Sequence, residues 1–190
     1  LRAVARDMGM ASSAVYRYFA SRDELLTALI IDAYNSLGEA AEAAAGVGEA
    51  AGTKAADGTE AAGTKGNDRI GLDRFLATTH AVREWALADR HQWALIYGSP
   101  VPGYEAPQDT IGPATRVVLL IAALARDAYE GGEIDEPEPI TGRYAEELAA
   151  VGEKYTPGAP PRLVGTALSA FIHLSGAISA ELFGQLHNSV

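Results

Sequence analysis

Six residues near the start of the chain place hydroxyl, phenol and guanidinium groups close together: Ser12, Ser13, Tyr16, Arg17, Tyr18 and Arg22. Such groups hydrogen-bond to phosphate oxygens and to base edges in a nucleic-acid groove, and an Arg fork pairs with guanine through two bonds. Their spacing turns them to one side. Val15 and Phe19 are four apart and share the buried face of a helix, which leaves Ser12, Ser13, Tyr16, Arg17 and Tyr18 mostly outward. Catalytic chemistry has no comparable set. His80, His91, His173 and His187 form no HxxxH or HxH pair, so they read as surface or core histidines and no metal is expected. The absence of Cys excludes disulfides, thiol nucleophiles and Cys-based zinc sites. There is no G-x-S-x-G, no P-loop and no G-x-G-x-x-G after a strand, so neither an enzyme nor a cofactor is expected.

The elements that would hold the six residues are short helices. Leu1, Val4, Ala5 and Met8 fall at i, i+3, i+4 and i+7, one apolar helical face. Gly9 supplies the stop, because glycine takes the left-handed conformation at little cost. Ser12 and Ser13 open a second short helix. Ser21-Arg-Asp-Glu24 has capping-box spacing ahead of a third, with Leu26, Leu29, Ile30, Ala33 and Leu37 as its expected apolar stripe. Two short helices around a glycine turn, the second with an exposed polar face, suit a DNA major groove.

This stretch resembles the TetR/AcrR family of bacterial regulators. The likeness rests on Val4-Ala5, Met8-Gly9-Met10, Val15-Tyr16, Phe19, Ser21 and Leu25, with Arg22 where Lys is usual. Ala11, Ala14 and Tyr18 stand where the family more often has Ser or Thr, Thr, and His, so the operator cannot be inferred. The resemblance implies a further helix before Leu1, an all-α fold with a helical ligand-binding and dimerisation domain, and a third helix linking head to body. A second likeness is to the WHG type of ligand domain. It lies in the segment Trp93 to Tyr104 and in Phe171 to Gly176 with Glu181, where Phe171 stands for Trp and Ser175 for His.

Charge distribution agrees with a nucleic-acid partner although the total does not. The net charge is −10, yet residues 1–22 hold four Arg and one Asp, so this segment is +3 and the other 168 residues carry −13. A cationic head on an acidic body binds phosphate locally while the body repels wrong orientations. Scattered surface Arg would account for the charge by itself; combined with the helix-turn-helix spacing it favours DNA. Hydrophobic residues make up 48% with only 4 Phe and 2 Trp, and no stretch alternates like a strand, so an Ala-rich helical fold is expected. The lack of Cys fits a reducing cytoplasm, the expected location.

Three regions follow: 1–37, head and linking helix; 38–71, an Ala/Gly-rich insert; 72–190, the ligand-binding and dimerisation domain. Residues 38–71 hold no aromatic residue and repeat EAAGTK at 49–54 and 60–65. The Ala-rich part to Ala45 can extend the helix, and weak packing is expected from about 46 to 70. Helical period resumes with the stripe Leu72, Phe75, Leu76, Thr79, Val82, Arg83, Ala86 and Leu87. A short helix from Asp89, a break at Gly98 to Gly103, and helices over Val117–Ala128, Arg143–Lys154 and about Arg162–Leu186 complete the body.

Leu163 to Ala180 is 18 residues without Asp, Glu, Lys or Arg, but its Gly, Ser, Thr and His make a poor membrane span. Ser169, Ser175, Gly176 and Ser179 mark it as a close-packed homodimer helix, and the resemblance implies the same pairing. Trp85, Trp93, Tyr97, Tyr104 and Phe171, with Arg116 or His173 as polar points, are candidates for an effector pocket, although core filling would explain most of these aromatics equally well. The resulting expectation is a ligand-responsive regulator, a repressor, that binds a palindromic DNA operator as a dimer. The alternative is an all-α ligand- or partner-binding module without DNA binding. No membrane partner is expected.

Overall fold

A computed structural model describes residues 18–47, 70–135 and 138–185. All regular structure in them is helical: α1 (Arg22–Ala44), α2 (Ile70–Ala88), α3 (Arg90–Tyr97), α4 (Ile111–Glu130), α5 (Arg143–Tyr155) and α6 (Pro161–Leu182), with a 3₁₀ turn at Gln108–Thr110 before α4. The all-α expectation holds. Ser12, Ser13, Tyr16 and Arg17, and most of the 46–70 segment, lie outside the described residues.

Helix α1 begins where the sequence places it. The Ser21 hydroxyl accepts a bond from the Glu24 amide at 3.0 Å, and the Glu24 carboxylate reaches back to the Ala20 amide. The helix runs through Gly38 to Ala44, and its Ile30, Ala33, Leu37, Gly38 and Ala41 are buried. Leu29, placed on the apolar stripe by sequence, is 48% exposed. It stands about 100° round from Ile30, outside the arc that Ile30, Leu37 and Ala41 bury.

Helices α1, α2, α4 and α6 pack around one core of Leu37, Val82, Trp85, Trp93, Ile121 and their neighbours. Helix α4 is central and touches α1, α2 and α6, while α5 covers α6 from outside. The α2 stripe differs from the sequence expectation. The buried residues are Gly71, Thr78, Val82, Trp85 and Ala86, whereas Leu72 and Leu76 are 40% and 44% exposed and Arg83 is exposed. Trp85 carries more apolar area than Leu72 or Leu76, and putting it inward rotates the helix toward its face. Helix α4 ends in a Schellman turn: Gly132 has φ +74°, its amide bonds to the Tyr129 carbonyl, and the Glu133 amide bonds to that of Ala128 at 2.8 Å. Helix α6 is long and apolar enough to cross a membrane by length and composition, but it packs on α4 and α5 as a member of this bundle.

Candidate functional site

The N-cap and first turn of α1, residues 21–24, are exposed to solvent, and the helix enters the core from Ile30 onward. Tyr18 is 73% exposed, and Arg22, in the first turn of α1, is also exposed.

Two clamps hold α1 against the body. Near its start, the Thr27 hydroxyl and the Tyr104 phenol are 2.9 Å apart, tying α1 to the 98–107 loop. Further on, Arg116 from α4 lies across α1. Its guanidinium donates two bonds to the Glu42 carboxylate at 2.9 and 2.7 Å, and a further nitrogen reaches the Asn35 carbonyl and side-chain oxygens at 3.1 and 3.0 Å. Gly38 makes the crossing possible, since a Cβ there would stand 2.6 Å from Arg116 Nε. Glu42 is the main reason the Arg116 pKa is raised above its usual value. Arg116 therefore holds the linking helix in place, and both its paired partners lie on α1.

The other sequence candidates spread over three environments. Trp93, Tyr97 and Phe171 meet in an aromatic cluster with Tyr34: Trp93 and Tyr97 ring centres are 4.5 Å apart, and Tyr97 lies 5.9 Å from Tyr34 and 6.2 Å from Phe171. The Trp93 indole donates to the Ser179 hydroxyl at 3.1 Å. The Trp85 indole donates to Ser36 at 2.9 Å. Burial pushes the Tyr97 and Tyr34 phenols above their ordinary range. Tyr104 lines an open cavity of about 540 Å³ with Tyr34, Ile96, Pro100 and Ile111. His173 is exposed on α6, its ring nitrogen 2.7 Å from the Ser169 carbonyl.

Sequence reasoning missed a second cavity, of about 330 Å³, between α2, α4 and α6. Phe75, Ile121, Leu124, Ala128, Leu163 and Ala167 form its apolar wall, with Gly71, Leu72, Thr166, Glu133 and Ile134 toward its rim. That is the lower end of the volume usual for ligand pockets, and the wall is of the usual kind. None of the seven aromatic and polar candidates lines it. The signal was available as small residues at helical spacing, Gly71 on α2 and Ala125, Ala128, Ala167 and Ala170 on the facing helices, which leave space where larger side chains would close it.

Of the four residues proposed for a dimer contact, Ser169 and Gly176 lie on the exposed face of α6 with Ile172, which is 64% exposed. Ser175 is half-buried and donates to the Phe171 carbonyl at 2.8 Å, and Ser179 receives the Trp93 indole. Arg83 and Glu181 form a two-bond ion pair between α2 and α6, at 2.8 and 2.5 Å. Glu181 is the carboxylate that the WHG likeness picks out.

A capped helix that follows a helix-turn-helix pattern and then enters the core of a helical body is the layout of a DNA-binding transcription regulator. Two family descriptions match the chain: "Bacterial regulatory proteins, tetR family" over residues 1–29, and "Tetracyclin repressor-like, C-terminal domain" over residues 75–190. The chain is 39% identical over 191 residues to the HTH-type transcriptional regulators Mb1846 of Mycobacterium bovis and Rv1816 of Mycobacterium tuberculosis, covering 97% of its own length and 72% of theirs. It is also similar to the solved structure of a regulatory protein, SCO4313, with a TM-score of 0.70 and 32% identity over 99% of this chain and 75% of that one. The chain belongs to the TetR family, and it is a DNA-binding transcriptional regulator rather than an enzyme.

Proposed function

We propose that the protein is a cytoplasmic, ligand-responsive repressor that binds a palindromic operator as a homodimer. The observation that carries this reading is the Arg116 crossing. Helix α4 walls the cavity through Ile121, Leu124 and Ala128, and about one to three turns earlier it grips α1 through Arg116. A ligand that displaces α4 therefore shifts α1, and the linking helix carries the head with it. Each half-site of a palindrome faces one head, so a change in head separation weakens both contacts at once.

In this reading Ser12, Ser13 and Arg17 face base edges, while Tyr16, Tyr18 and Arg22 contact phosphates. Dimer pairing runs through the outer face of α6, where Ser169 and Gly176 allow close approach and the exposed Ile172 supplies apolar contact, and it buries about 2,000 Å² or more in total. Selection of bound duplexes from a random pool with the full-length protein tests the assignment. An enriched inverted repeat, bound by two chains per site, supports it. Enrichment of no motif, or of a single half-site bound by one chain, refutes it.

A further inference from the structure

We propose that the cavity between α2, α4 and α6 selects a non-anionic aliphatic molecule, one whose single polar group is a neutral hydrogen-bond donor such as an alcohol, and that Glu133 sets this selectivity. The inference rests on the effector reading above and adds the chemistry of the ligand. The wall is aliphatic except for Phe75, so the body of the ligand is matched by hydrocarbon. Among the described residues no Lys, Arg or His lines the cavity. The ionisable group on the lining is the Glu133 carboxylate, at the rim.

That carboxylate is held from both ends. Its backbone is fixed by the turn that closes α4, through the Glu133 amide to the Ala128 carbonyl at 2.8 Å. Its two oxygens accept from the Gly71 amide at 2.9 and 3.0 Å, in the first turn of α2, where the helix dipole favours negative charge. Fixed in this way, it cannot swing off the rim without giving up those bonds. An acid entering the cavity brings a second negative charge beside it, with no Lys, Arg or His among the described lining residues to offset the pair. A hydroxyl instead donates to a carboxylate oxygen that keeps a free lone pair. Close packing sets the depth: a Cβ on Gly71 would lie 2.8 Å from the Ala128 methyl, so α2 and α4 touch directly at that edge.

The test uses the full-length protein and an uncharged fluorescent probe, N-phenyl-1-naphthylamine, displaced by 1-decanol or by decanoate near pH 8, where the acid is ionised. Decanol is expected to displace the probe at a concentration about tenfold lower than decanoate. In Glu133→Gln the gap should narrow to about threefold or less, by an improvement in decanoate and a smaller weakening of decanol, whose hydroxyl then meets a neutral acceptor; probe affinity equal to that of the native protein reports an intact fold. Equal displacement by the two in the native protein, or the same gap in Glu133→Gln, overturns the proposal while leaving the effector cavity standing. Probe binding that is absent, or that survives both Ala167→Phe and Leu124→Phe undiminished, overturns the cavity itself and the proposal with it.

Discussion

Arg17 and Arg22 carry different duties in this account, and substitution separates them. Arg17→Ala should relax sequence preference and cost about 1–3 kcal/mol on the selected operator. Arg22→Ala should weaken all duplexes alike and reduce the slope of log affinity against log salt by about one unit. Anisotropy titrations on matched and scrambled duplexes read both, and equal, sequence-independent losses would mean that Arg17 reads no base. At the α1 crossing, Gly38→Ala drives a methyl into Arg116 and should break its paired bonds to Glu42. Both partners are partly exposed, so the loss in a urea titration should be about 1 kcal/mol. Arg83 holds the Glu181 carboxyl below the usual carboxylate range. A lowered folded-state pKa stabilises the fold above the unfolded value, and that contribution disappears as pH falls through the folded one. An Arg83→Ala variant should therefore differ from the native protein in stability at neutral pH and converge with it in acid. The individual residues were the least legible part of the sequence. Arg116 read as a polar point of a pocket because its partners, Glu42 and Asn35, are 74 and 81 positions away and no local pattern couples them.

At the scale of elements, local signals sufficed wherever the deciding chemistry was local. Ser21 and Glu24 sit three apart, and the helix starts between them; the Gly131-Gly132 pair ends α4 because the second must adopt φ +74°. Ser21→Ala should cost about 1 kcal/mol in thermal or denaturant unfolding, from loss of the bond to the Glu24 amide. Helix faces were less legible. Leu72, Leu76 and Leu29 satisfy a 3.6-residue period as well as the residues that are buried, and only the packing of α2 and α1 on α4 selects among the registers. The cavity was hidden for a related reason. Its walls are ordinary core residues, and a void between three helices is a property of their separation rather than of any one stretch.

At the scale of the whole molecule, α1 acts in the proposed function as a lever between the cationic N-terminal segment and the acidic body. Arg116 grips the C-terminal half of this helix, at Asn35 and Glu42, and α4 joins that grip to the cavity. In the proposed dimer, two heads at fixed spacing would convert a small helix shift into loss of a palindromic site. Sedimentation at micromolar concentration should find a dimer, and Gly176→Arg, which places a long charged chain on the outer α6 face, should shift it to monomer without unfolding it. The measurement that bears most directly on the account is an anisotropy titration of the selected operator with the full-length protein, with and without 1-decanol. The account predicts one dimer per inverted repeat and an affinity about tenfold or more weaker with decanol present, an effect abolished in Ala167→Phe. Operator affinity that is the same with and without decanol, at concentrations that empty the cavity of probe, would contradict it.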